Sequence, residues 1–204
     1  MAVTAITGDI GSGKSTAARL LAGILGCECL DADGIAKSMW LREDVKALAV
    51  KRWGSEILDP SGKIILSRIA EHIFLSKSES DFCNDLIHPL VMAELQDRTK
   101  NLSDAVVEIP LLPEACRHEV IDGAVYPVLP EACRPAWIDK TVYVTADFSL
   151  RAARCRSQRG WSVDELMKRE SLLLPHRERI AVCEYVIHND GEVSELERLL
   201  AELT

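Results

Sequence analysis

The residues with the clearest capacity for chemistry lie close to the N-terminus. Gly8-Asp9-Ile10-Gly11-Ser12-Gly13-Lys14-Ser15 fits G-x-x-x-x-G-K-[ST], the P-loop pattern. Each residue type has a task at that spacing. Glycines let backbone N–H groups turn inward around phosphate oxygens. A helix starting near Lys14 adds first-turn N–H groups and a positive dipole end. Lys14 brings a mobile charge to β- and γ-phosphates, and Ser15 brings a hydroxyl for Mg²⁺. The plain alternative is a Gly-rich turn that binds nothing. A strand-like run before the motif and a helical pattern after it favour the cradle. Asp9 sets a carboxylate inside an anion-binding loop. Its side chain is expected to point outward, and Asp9→Gly to leave or improve nucleotide affinity.

A second constellation, Asp31-Ala32-Asp33, follows a short strand-like run. Strand carboxyl ends face the ligand crevice of an open α/β sheet. If the backbone stays extended, both carboxylates share one side. One could then accept a proton from an attacking hydroxyl while the other orients it. Asp33, ahead of Gly34-Ile35-Ala36, fits a helix N-cap equally well. Arg151, Arg154, Arg156 and Arg159 suit a solvated helix face, or the lid cations that phosphoryl transfer calls for. Glu108 sits in a strand, where burying an unpaired carboxylate is costly. His88 before Pro89 fits a helix cap or core edge as well as a ligand contact. His72, His118, His176 and His188 have no metal-ligand spacing and read as structural or solvated. Trp40, Trp53, Trp137 and Trp161 read as packing.

These groups need a scaffold, and the chain alternates strand and helix patterns. Strands are expected at residues 2–7, 27–30, 105–109, 141–145 and 185–188. Helices are expected at 14–25, 150–159, 162–174 and 193–203, with Gly26 ending the first. Residues 34–101 read mostly as helix, interrupted at Asp59-Pro60-Ser61-Gly62. Pro89 is expected in the first turn of a helix running to about Lys100. The alternation implies an α/β fold, a parallel sheet covered on both faces. Residues 110–126 and 127–143 both carry LPEACR and both close on Ile-Asp, two residues, then Val-Tyr. This tandem duplication reads as an enlarged loop between two core strands, with room for a local hairpin.

Composition narrows the function class. The chain has 204 residues, 48% hydrophobic and 27% charged, an ordinary globular balance. Lys+Arg is 24 against Asp+Glu 32, a net charge of −8, which argues against non-specific nucleic-acid binding. No apolar run approaches the roughly 20 residues of a spanning helix. The N-terminus lacks the pattern of a signal peptide, so a cytoplasmic protein without membrane contact is expected. Seven cysteines without a CxxC pair read as reduced thiols.

In order and spacing, the motifs resemble the dephospho-CoA kinase family, the last enzyme of coenzyme A synthesis. The resemblance runs through ITGDIGSGKST, CLDADGIAK, LSRIAEHIF, LIHPLV, VVEIPLL with Glu114 beyond, RGWSVDELMKRES and RIAVCEYVIHNDG. It implies a P-loop kinase fold over residues 1–204: a three-layer sandwich with a five-stranded parallel sheet, an inserted helical substrate lobe at 34–101 and a lid at 150–181. It implies ATP and Mg²⁺, and transfer of the γ-phosphoryl group to the ribose 3′-hydroxyl of dephospho-CoA. Nucleotide contacts are implied at Gly8, Gly11, Ser12, Gly13, Lys14, Ser15, Thr16 and Asn189, with Ser15 on Mg²⁺. Asp33 matches the family's general base and Asp31 its partner. His88, Glu108 and Leu111 match acceptor-pocket positions. The lid arginines have counterparts among Arg151, Arg154 and Arg159, and Arg154 is the catalytic candidate beside Lys14 and Asp33. A monomer or small homo-oligomer is expected.

Asp9 stands where the family has a second glycine. Leu172-Leu173-Leu174-Pro175 stands where it has a glutamine, and PLLPE replaces PLLFE. These departures bear on acceptor affinity and lid closure. They leave open a kinase of another nucleotide or small alcohol, or a non-catalytic nucleotide-binding module.

Overall fold

The computed structural model describes residues 2–110, 119–121, 124–126 and 135–204. The apolar runs expected as strands form the centre of the molecule. β1 (Ala2–Gly8), β2 (Glu28–Asp31), β3 (Asp104–Glu108), β6 (Lys140–Thr145) and β7 (Tyr185–His188) make one parallel sheet in the order β2-β3-β1-β6-β7. β1 pairs with β3 on one side and β6 on the other, so the P-loop leaves the middle strand. Register aligns Ile6 with Glu108 and Glu108 with Asp31, which brings three strand ends to one edge. Ligand chemistry belongs at that carboxyl edge in such sheets.

Two side-chain layers follow from the strand period of two. Val142 and Val144 of β6 join Ile6, Val106 and Ile187 against Ala17, Ala18 and Leu21 of α1 (Lys14–Leu25), and against Leu196 and Leu200 of a C-terminal helix (Val193–Ala201). Tyr143, between those valines, packs its ring edge-on against His176 at 5.6 Å. Helices therefore cover both faces, as expected for a parallel sheet.

The chain divides into two compact units, Met1–Asp31 with Thr99–Thr204, and Ala32–Arg98. The second is helical: α2 (Ala32–Met39), α3 (Glu43–Trp53), α4 (Leu66–Ile73) and α5 (Lys77–Thr99), with α5 ending at the unit boundary. Its centre is Trp53, stacked on His72 with ring centroids 5.4 Å apart and meeting Phe82 edge-on at 5.2 Å. The indole Nε1 donates to Glu79 at 2.7 Å. The expected turn is present: Asp59 Oδ1 accepts from the N–H groups of Ser61 and Lys63.

Several expectations change. Pro89 does not begin a helix; it lies inside the continuous 23-residue α5. Cys83, Ile87, Val91 and Leu95 form an unbroken buried stripe through it, while Pro89 is exposed. Burial of that stripe outweighs the lost N–H donor, and the ring sits on the outer face where helices curve most readily. Backbone extension stops at Asp31, because Ala32 already starts α2. Asp33 is thus in the first turn of α2, and neither the shared-face strand geometry nor the N-cap describes it.

In the sheet unit, α6 (Phe148–Arg159) and α7 (Val163–Glu170) follow β6. The helix expected at 162–174 ends early, and a separate α8 (His176–Ala181) begins after Pro175. Ser162 caps α7 by accepting from the Glu165 N–H, the S-x-x-E pattern of a capping box. The C-terminal helix is α9. Within the duplicated stretch, β4 (Glu119–Ile121) and β5 (Ala124–Tyr126) pair as an antiparallel hairpin. Among the described residues, no helix is long and apolar enough to cross a membrane, and five cysteines are free thiols.

Candidate active site

The P-loop forms because two glycines take conformations that other residues would resist. Gly8 has φ +147°, and a Cβ there would sit 1.9 Å from the Val144 carbonyl oxygen. Gly13, at φ +93°, precedes α1, and its carbonyl accepts from the N–H groups of Thr16 and Ala17. Helix geometry leaves only the N–H groups ahead of Thr16 at the start of α1 without intrahelical acceptors, and these are directed toward the loop. Lys14 Nζ donates to the Asp9 carbonyl at 2.8 Å, which folds the side chain back over the loop. Ser12 is fully buried, and its Oγ has no hydrogen-bond partner. A buried hydroxyl without a partner is costly. An oxyanion in the cradle is a fitting acceptor for it.

Neighbouring elements hold the loop by its carbonyls. Asn189, at the end of β7, is buried and donates Nδ2 to the Ser12 carbonyl at 2.7 Å. Arg154 of α6 donates Nη1 to Ser12 O at 3.3 Å and Nη2 to Asn189 O at 3.0 Å. One turn earlier, Arg151 donates to Ala146 O at 3.0 Å and to Ile10 O at 3.2 Å, and pairs with Glu170 of α7. Tying carbonyls outward leaves loop N–H groups to face the ligand side. Arg159 stacks over Trp161 at 4.8 Å.

At the strand ends, Ser15 Oγ donates to Glu108 Oε1 at 2.6 Å. Glu108 is half-buried and lies beside Asp31 in register. A hydroxyl and adjacent carboxylates are hard oxygen donors, which suit Mg²⁺. Among the described residues, no group of three or more His, Cys, Asp or Glu forms a metal cage.

Asp9 does not point outward. It is 1% exposed, and its carboxylate accepts from Tyr143 Oη at 2.8 Å and Thr145 Oγ1 at 2.6 Å. His176 Nε2 lies 3.2 Å from Oδ2, and Arg179 Nη1 lies 3.0 Å from Oδ1. Burial alone would raise this carboxyl. The bonds from Thr145 and Tyr143 and the charges of Arg151 and Arg179 instead hold it below its ordinary value. Burial, and then the Asp9 charge, push the Tyr143 hydroxyl up. Tyr143, Thr145 and Arg179 are site residues that sequence reading missed; His176, expected to be structural or solvated, is half exposed and reaches the Asp9 carboxylate from outside. The one usable signal was a carboxylate in an anion cradle, which demands compensating donors.

The sheet unit thus brings together Gly8, Gly11, Ser12, Gly13, Lys14, Ser15, Thr16, Asn189, Arg154, Glu108 and Asp31. Asp33 in α2 and His88 in α5 belong to the helical unit. Leu111 lies outside the described residues.

The dephospho-CoA kinase family model matches residues 2–126 of the chain. A dephospho-CoA kinase from Leptospira interrogans is 31% identical over 94% of this chain and 86% of its own length. A solved structure from Thermus thermophilus, 28% identical, matches 100% of this chain and 98% of its own with a TM-score of 0.70. The dephospho-CoA kinase structure from Campylobacter jejuni, 18% identical, covers 98% of this chain and 94% of its own at a TM-score of 0.60, a likeness of fold. With the family model matched over more than half of its length and a relative 31% identical across nearly all of it, the chain belongs to the dephospho-CoA kinase family.

Proposed function

We propose that the protein transfers the γ-phosphoryl group of ATP to the ribose 3′-hydroxyl of dephospho-CoA, giving coenzyme A and ADP. The observation that carries this reading is the residue 8–15 cradle, folded at the end of the central strand in a chain of this family. The loop and first-turn N–H groups, with the Ser12 hydroxyl, receive phosphate oxygens. Lys14 moves from the Asp9 carbonyl to the phosphates, exchanging a neutral acceptor for charged ones. Arg154 keeps a guanidinium beside Ser12 and Asn189 and stabilises charge on the transferring group. Ser15 would hold Mg²⁺, with Glu108 hydrogen-bonded to Ser15 and Asp31 beside Glu108 in register; the ion would neutralise phosphate charge.

Asp33 acts as general base. It takes the proton of the 3′-hydroxyl as the new O–P bond forms and the bond to ADP breaks. Asp31 orients the hydroxyl, and His88, Glu108 and Leu111 position the acceptor. The helices of residues 34–101 form the acceptor lobe. Residues 150–181 form the lid that excludes water and limits wasteful hydrolysis. The setting is cytoplasmic.

The test is incubation with Mg²⁺-ATP and dephospho-CoA, with mass and position of the added phosphate determined. Coenzyme A phosphorylated at the 3′-oxygen is expected. ATP binding without that product would overturn the acceptor assignment.

A further inference from the structure

The Asp9 network is not explained by the reaction steps above. A carboxylate at the second position of a phosphate cradle opposes its ligand through like charge. Yet this one is buried, and five groups from three elements converge on it or its main chain. Tyr143 and Thr145 of β6 donate hydroxyls, Arg179 and His176 of α8 bring cationic or cation-capable nitrogens, and Lys14 holds the carbonyl. Arg179 Nη1 is buried and close to Oδ1, but lacks the alignment of a hydrogen bond. Its guanidinium also lies 5.8 Å from the centre of the Tyr143 ring. The contact is therefore charge against charge, with Tyr143 as a platform.

We propose that Asp9 is a positioning residue for the nucleotide: it fastens α8 to the start of the P-loop and holds Arg179 at the cradle, so that an incoming polyphosphate meets a compensated loop. This rests on the nucleotide reading of the cradle and deepens it. The cost of the buried carboxylate is offset by the two hydroxyl donors and by the charges of Arg151 and Arg179. In return, a cation from the segment after α7 is fixed 3.0 Å from the loop's second residue. Two consequences separate this role from plain structural support. Removing Arg179 alone exposes the ligand to a less compensated Asp9, with only Arg151 left as a charge beside it. Removing both charges together relieves part of that loss.

The experiment is calorimetric Mg²⁺-ATP binding, without acceptor, to wild type, Asp9→Asn, Arg179→Gln, Arg179→Lys and the double variant Asp9→Asn/Arg179→Gln. Arg179→Gln is expected to weaken binding about tenfold to a hundredfold, the range for stripping one partner from a buried charge contact. Asp9→Asn, which keeps an acceptor for the hydroxyls, is expected to weaken it about threefold to tenfold. The double variant is expected to bind at least about fivefold tighter than Arg179→Gln alone. Arg179→Lys keeps the charge and is expected to stay within about threefold of wild type. Additive losses, unchanged or tighter binding in Asp9→Asn, or equal losses in the Lys and Gln variants would overturn the proposal. A wild type that binds no Mg²⁺-ATP would overturn the nucleotide reading and the proposal together. Failure to phosphorylate dephospho-CoA touches only the acceptor assignment.

Discussion

In the sheet unit a buried carboxylate, Asp9, is gripped by Tyr143, Thr145 and Arg179; in the helical unit the corresponding hub is an indole, Trp53, packed by Trp40, His72 and Phe82. The first hub works by direction. Each of its two hydroxyl donors has one acceptor, and losing a partner leaves a buried polar group unsatisfied. The second works by area. Its rings bury apolar surface and tolerate changes of angle, and its single polar need is met by Glu79 on Trp53 Nε1. Directional contacts hold a loop whose N–H groups must face a ligand within a fraction of an ångström. Area-based contacts suffice to keep helices together. The units therefore differ in which property, affinity or stability, a single substitution should move.

Trp53→Ala should have the largest effect on stability, a loss of about 3–5 kcal/mol from a buried aromatic hub. Thermal and urea melts read it, while the folded fraction should bind Mg²⁺-ATP with unchanged affinity. A matching loss of affinity would erase the contrast between the units. Lys14→Ala should do the reverse. It should lower kcat/KM for ATP by about 10²–10³, typical of one stabilising contact to the transferring group, with the melting temperature little changed. Near-normal turnover would remove the P-loop from the chemistry. The smallest effect is one of pH. The Asp9 carboxyl is held below its ordinary 3.8, so its contribution to stability is fully present above that value. As pH falls below about 3.8 the unfolded chain takes up the proton first, and the contribution is lost as pH drops through the native value. Acid titration should therefore cost wild type more stability than Asp9→Asn over that window. Parallel curves would mean that the carboxylate is no more stabilised by its donors than in the unfolded chain.

The same contrast governs what was legible in the sequence. The five core strands, α1 and the cradle were readable because their determinants are local: apolar runs, Gly8, Gly13 and the Lys14-Ser15 pair. The covering of both sheet faces followed from alternation. The Asp9 network was not readable, since Tyr143, Thr145, His176 and Arg179 reach the loop from elements far along the chain. Pro89 misled because a local breaking rule was weighed without the Cys83-Ile87-Val91-Leu95 stripe that carries α5 through it. Asp33 was half legible. Its type and spacing suggested acid–base work, but the start of α2 at Ala32 overrode the extended geometry assumed for it. Arg154 was singled out only through the family resemblance, and its bonds to Ser12 O and Asn189 O emerge only from the fold.

The most direct measurement follows single-turnover formation of coenzyme A from dephospho-CoA and Mg²⁺-ATP in wild type and Asp33→Asn, with ATP affinity determined on the same preparations. Wild type should form the 3′-phosphorylated product. Asp33→Asn should be slower by about 10²–10⁴, the span for loss of a general base, with ATP affinity kept within about threefold. An unchanged rate in Asp33→Asn would return that residue to a helix-terminus role, and no product from wild type with ATP bound would contradict phosphoryl transfer to dephospho-CoA.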